Sequence, residues 1–87
     1  MQKAKTYSAT ATVRFKKSVL EPQGKAIQLS LHENGLPNFE SVRVGKIIEL
    51  VFTASDLETA KKQIEKIASD MLYNDVMEVC EIEVHEI

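Results

Sequence analysis

The sequence predicts an α+β domain: an antiparallel sheet with two helices on one face, in the order β-α-β-α-β, with a middle strand that is long or doubled. Three observations carry this reading. Residues 5–15 alternate between apolar and polar side chains, residues 57–71 repeat apolar side chains three and four apart, and residues 42–52 return to a period of two. A chain of 87 residues has room for one such core. Residues 1–87 read as a single domain, with no repeat, linker or low-complexity segment.

In the first strand Tyr7, Ala9, Ala11, Val13 and Phe15 share one face, while Thr6, Ser8, Thr10, Thr12 and Arg14 share the other. Alternation with β-branched threonines marks a half-buried strand. The small alanines leave space for a closely packed helix. A first helix starts at Glu21-Pro22, because proline suits the first helical position, where its missing N–H has no partner to lose. Gly24, Ile27 and Leu31 form its apolar stripe, with Leu20 just before it. Asn34-Gly35 ends it, since glycine tolerates the left-handed conformation of a helix C-terminus.

The middle segment keeps Val42, Val44, Ile48, Leu50 and Phe52 in one phase, with Lys46 the single interruption. One strand bent at Gly45 fits this phase, and so does a hairpin with an odd-length loop. A two-residue turn at Gly45-Lys46 would exchange the two faces and does not fit. Ser55-Asp56-Leu57-Glu58 reads as a capping box for the second helix. Its stripe runs through Leu57, Ala60, Ile64, Ile67, Ala68 and Met71, and Tyr73-Asn74-Asp75 ends it. The last strand, 76–87, places Cys80, Ile82 and Val84 on one face and Glu81, Glu83 and His85 on the other.

Charge is unevenly placed although the net is only −2. Residues 1–25 hold Lys3, Lys5, Arg14, Lys16, Lys17 and Lys25 against Glu21, and residues 54–87 hold nine acids against Lys61, Lys62 and Lys66. Pairing of the first and last strands would neutralise these runs across the sheet. Nucleic acid is therefore not the expected partner, and RNA binding on a ferredoxin-like sheet would need exposed aromatics, whereas three of Tyr7, Phe15, Phe39, Phe52 and Tyr73 align with core faces. Cys80 is the only cysteine, which excludes an internal disulfide. No apolar run approaches the roughly 20 residues of a membrane span. Met1-Gln2-Lys3-Ala4-Lys5 leads into polar alternation rather than an apolar signal core, so a cytoplasmic location is expected.

The chemistry-bearing residues are few. His32 and His85 are the only histidines, one near a helix end and one on an outward strand face, and neither has a nucleophile at a fixed spacing. Cys80 shares its face with Ile82 and Val84 and reads as an inert thiol. No Cys/His cluster has metal-ligand spacing, and the three glycines form no phosphate loop. The remaining segment is Val42-Arg43-Val44-Gly45-Lys46, where a glycine inside an extended run signals a bulge, a bend or a close backbone approach.

Three pieces of the chain resemble, in order, motifs of the PurS family, the small subunit of phosphoribosylformylglycinamidine (FGAM) synthase. Leu20-Glu21-Pro22-Gln23-Gly24 is similar to the family's L-D-P-Q-G. Val42-Arg43-Val44-Gly45-Lys46 with Ile48-Glu49-Leu50 is similar to V-R-x-G-K-x-x-E-L. Leu72-Tyr73-Asn74-Asp75-Val76-Met77-Glu78 is similar to L-L-A-N-P-V-I-E. Glu21 departs from the family's Asp, Tyr73 from Ala and Asp75 from Pro, and Val79-Cys80 stand where an acid and an aromatic are frequent. The resemblance implies an accessory subunit of a C–N ligase, with no catalytic residue and no cofactor or metal of its own. A large synthetase subunit, PurL, would use ATP and Mg. A glutaminase subunit, PurQ, would supply ammonia. The small subunit would bridge them as a homodimer or homotetramer. It also implies an assembly surface at the matching positions Pro22, Gln23, Gly24, Arg43, Gly45, Lys46 and Asn74. By strand alternation Arg43 should point away from the core and be free to meet another chain. The alternative is an ACT-like regulatory module that binds a small effector at a dimer interface.

Overall fold

The computed structural model describes residues 4–87. Lys3, counted above among the basic residues, and the start Met1-Gln2-Lys3 lie outside the described residues. Three strands, β1 (Lys5–Phe15), β2 (Lys46–Ala54) and β3 (Glu78–Glu86), form one sheet in the order β2-β1-β3. Both neighbours pair antiparallel to the central β1, Ala11 standing opposite Ile48 on one side and Ile82 on the other. Helix α1 (Pro22–Glu33) follows β1, and helix α2 (Leu57–Ile67) follows β2. The class, the element order and the antiparallel sheet agree with the sequence reading.

The core lies between the sheet and α2 alone. Tyr7, Ala9, Ala11 and Val13 from β1 are buried, together with Ala60, Ile64 and Ala68 from the second helical segment. The alternation of β1 is thus reproduced, and its alanines admit α2 close to the sheet. Burial of apolar area supplies the driving force, at about 25 cal/mol per Å². The expected pairing of charges also occurs. Lys5 lies 3.9 Å from Glu86, and Arg14 donates to Glu81 at 3.2 Å, both across the β1–β3 ladder. These pairs are exposed, so each contributes at most about 1 kcal/mol.

Helix α1 does not share the sheet face expected for it. Only Gly24 of this helix is buried, while Ile27 and Leu29 are about half exposed. The molecule measures 63 × 26 × 14 Å, with a radius of gyration of 17.6 Å. A compact chain of this length would have a radius of about 12 Å. The excess arises because α1 extends the molecule beyond the end of the sheet instead of covering it. The physical reason is that α2 already covers the inner face of β1, and the alanines there offer no second apolar site.

The middle segment is neither one long strand nor a hairpin. β2 begins only at Lys46, and residues 40–45 run back along α1 without joining a ladder. Gln28 holds this returning segment through Nε2, which donates to the carbonyls of Phe39 at 3.1 Å and Glu40 at 2.7 Å. The even phase persists: Val42, Val44, Ile48, Leu50 and Phe52 are all half-buried. α1 ends as expected. Asn34 is the C-cap, Gly35 has φ of 82°, and the N–H of Leu36 reaches the carbonyl of Leu31 at 2.9 Å, which is a Schellman closure.

At the start of α2 the capping residue is Asp56, whose carboxylate accepts from the Thr59 N–H at 2.7 Å, rather than Ser55 with Glu58. At its end a π-helical turn, Ala68–Leu72, adds one residue to the helical repeat. That insertion rotates the stripe, and Met71 ends up 74% exposed instead of buried.

Candidate functional site

The chain passes twice between the sheet and the α1 arm. Residues 16–21 lead out and residues 42–45 lead back, and the residues singled out from the sequence collect where they cross. Glu21 is the N-cap of α1 and only 4% exposed. Its carboxylate accepts from the Gln23 N–H at 2.8 Å, from the Gly24 N–H, and from the Val44 N–H at 2.9 Å. One side chain therefore satisfies two free donors of the helix start and one of the returning segment. Burial opposes ionisation of Glu21. The three N–H donors and the nearby Arg43 guanidinium outweigh it and hold the carboxyl below the usual glutamate range.

A testable consequence follows for acid conditions. A group whose folded pKa is depressed contributes stability that is complete above its unfolded value and is lost as pH falls through its folded value. The contribution of Glu21 should therefore fade as pH falls from the ordinary glutamate value through its lower folded value. In carbon-detected NMR titration Glu21 should ionise below the ordinary glutamate value, with the amides of Gln23, Gly24 and Val44 shifting in step. Ionisation at the ordinary glutamate value would show that the three hydrogen bonds are not formed in solution.

Gly24 is required by close approach. A Cβ there would overlap the carbonyl oxygen of Val42 and stand 2.7 Å from the Cα of Arg43. Gly45 is required for the same reason, since a Cβ would stand 2.7 Å from the Val13 carbonyl oxygen. Gly45 does not have positive φ. Of the three possibilities read from the sequence, the close approach is the one realised.

Arg43 is exposed, as its position between Val42 and Val44 led one to expect, and it also holds the junction. Its Nη2 donates to the carbonyls of Lys16 at 3.1 Å and Val19 at 2.6 Å, tying the returning segment to the outgoing turn. Alternation persists outside the ladder, with Arg43 exposed between half-buried Val42 and Val44. Pro22 occupies the first helical position, and Gln23 beside it is exposed. Lys46 opens β2 opposite Val13 and is exposed. Asn74 organises the turn before β3. Its carbonyl accepts from Glu78 N–H at 2.7 Å, its side-chain oxygen accepts from Val76 N–H at 2.9 Å, and its own N–H donates to the Glu78 carboxylate at 2.8 Å.

A shallow hollow of about 190 Å³ is lined by Gln23, Gly45, Lys46 and Glu78 among others. The seven residues singled out from sequence thus gather at one end of the sheet, Asn74 through its partner Glu78. The hollow is smaller than the roughly 300–1,000 Å³ that holds a drug-sized ligand. Glu21 was read from sequence only as the start of the first helix and was not among the expected site residues. The signal was present, since it immediately precedes the proline at the helix start, but nothing local announced the Val44 N–H.

Elsewhere the chemistry is sparse among the described residues. No group of three or more His, Cys, Asp or Glu could hold a metal ion, and no helix is long and apolar enough to cross a membrane. Cys80 is half-buried, and burial, with Glu78 and Glu81 beside it, pushes its thiol up. A protonated thiol is a poor nucleophile. His32 Nε2 lies 3.0 Å from the Phe39 carbonyl, and His85 lies 3.8 Å from Glu83.

Fold and junction together define a small antiparallel α+β domain that carries a helical arm bolted to one end of its sheet. Comparison with known proteins gives it a family. Residues 8–86 match the model of PurS, phosphoribosylformylglycinamidine (FGAM) synthase. The FGAM synthase subunit PurS of Methanocaldococcus jannaschii is 33% identical, the match covering 93% of this chain and 98% of that protein. A crystal structure of Bacillus subtilis PurS superposes with a TM-score of 0.81 at 35% identity, covering 92% of this chain and 99% of that one. A chain in the structure of PurLQS from Thermotoga maritima has a TM-score of 0.76 at 29% identity, covering 94% and 98%. The chain belongs to the PurS family of FGAM synthase subunits, which act in purine biosynthesis. The alternative of an ACT-like regulatory module gives way to this membership.

Proposed function

We propose that the chain is the non-catalytic small subunit that joins a synthetase subunit, PurL, to a glutaminase subunit, PurQ, in glutamine-dependent, ATP-driven amidation of formylglycinamide ribonucleotide. The observation that carries this reading is the likeness, over 94% of the chain, to a chain in the PurLQS structure. In this reading ATP and Mg belong to the synthetase subunit, and this domain contributes surface rather than chemistry. It acts in the cytoplasm as a homodimer or homotetramer. The apolar side chains left uncovered support self-association: Ile27 and Leu29 on α1, and Ile47 and Val51 on the outer face of β2 are 45–69% exposed. The residues Pro22, Gln23, Arg43, Gly45, Lys46 and Asn74 remain the proposed contact positions, while the buried Gly24 supports them from within.

Reconstitution tests the proposal. Purified alone, the chain should neither hydrolyse glutamine nor consume ATP. Added to separately purified synthetase and glutaminase subunits, it should confer glutamine-dependent FGAM formation, and the synthetase should retain activity with free ammonia in its absence. Full glutamine-dependent activity without the chain, or turnover by the chain alone that one of its own substitutions abolishes, would refute the bridging role.

A further inference from the structure

The arm made by α1 and the returning residues 36–42 has no packed interface with the sheet, and residues 43–45 form its base. Its helix buries only Gly24, at its base. Along its length the arm is internally joined by Gln28 to the carbonyls of Phe39 and Glu40, and by the closure at Gly35. It is therefore one body, and its direction relative to the sheet is decided at the base. Two side chains bridge the base. Arg43 joins the two crossing segments to each other on the sheet side. Among the side chains of the described residues, Glu21 alone joins the first turn of the helix to Val44, two residues before β2, through the N–H groups of Gln23, Gly24 and Val44.

We propose that Glu21 is the positioning residue that sets the direction of the arm, and that its link to Val44, beyond helix capping, makes the arm rigid. An arm that is already oriented loses less conformational freedom when it docks, so the device has value for any contact the arm makes. That last point rests on the proposed assembly role; the direction of the arm itself does not.

Two variants separate capping from linking. Glu21→Ser keeps a strong N-cap but is too short to reach Val44. Glu21→Gln keeps the shape and replaces one acceptor oxygen by a donor that faces N–H groups. Arm direction is read by double electron–electron resonance between nitroxides at Glu33 and Gln63 in a Cys80→Ser background, with labelled chains diluted into excess unlabelled chain. Both variants should broaden the intrachain distance distribution about twofold, as expected of a segment that has lost its local restraint, while the sheet keeps its circular dichroism and its melting transition. A wild-type width in Glu21→Ser would show that capping alone suffices. A wild-type width in Glu21→Gln would show that Arg43 and the close approach at Gly24 hold the arm without the carboxylate. Melting of the sheet in either variant would show that Glu21 supports the whole domain. Each of these results overturns the proposal.

Discussion

Ile64→Ala should destabilise the domain by about 2–5 kcal/mol, the usual range for truncating a buried isoleucine. Ile64 is 1% exposed and is the largest side chain that α2 buries. Its neighbours along the helix stripe, Ala60 and Ala68, are small and have no reach to fill the void. A domain of this size has only about 4–13 kcal/mol of total stability, so the loss is a large share of it. Thermal melts at fixed protein concentration should show a fall of at least 8 °C, taking roughly 4–8 °C per kcal/mol for a domain this small. Ile64→Val should cost about 0.5–1.5 kcal/mol on the same scale. An Ile64→Ala melt within 2 °C of wild type would mean that the sheet–α2 core is not what holds the domain.

Gly24→Val should be the most damaging single change outside that core, at about 1–3 kcal/mol from overpacking, together with loss of the capping geometry around Glu21. The first atom it adds already overlaps the Val42 carbonyl, and backbone on the other side leaves nothing flexible to yield. The effect should be local. The amides of Gln23, Gly24 and Val44 should lose their hydrogen-exchange protection, while those at the centre of β1 keep theirs. Uniform loss of protection would place the junction inside the cooperative unit of the sheet. Unchanged exchange at Val44 would mean that the crossing segments stand further apart than the structure shows.

The periodicities explain how much was legible beforehand. β1, α2 and β3 announce themselves because each has one wet and one dry face, and a period of two or 3.6 is the direct imprint of that condition. The ends of α1 were legible as well, in Pro22 and in Asn34-Gly35, since both are backbone requirements of single residues. The cross-sheet neutralisation of the basic start by the acidic end followed once β1 and β3 were neighbours. The class of the domain and the lack of obvious metal or nucleophile motifs came from residue types and spacings in the same way, and the family resemblance rested on three short motifs in order.

Three features were decided only by the tertiary structure. α1 carries apolar side chains at helical spacing, but spacing specifies a stripe and not what covers it. With α2 on the inner face of β1, the arm had nowhere on the sheet to go. Val42 and Val44 keep the phase of β2 without belonging to it, because extended backbone alternates whether or not a neighbour supplies hydrogen bonds. Arg43 is exposed as that alternation assigned, but its bonds to the carbonyls of Lys16 and Val19 could not be read from it. Glu21 and Val44 are 23 residues apart, and no local pattern connects a carboxylate to a backbone N–H at that separation. That contact exists because Gly24 lets two backbones cross without a Cβ between them, a condition that is visible only when both segments are placed.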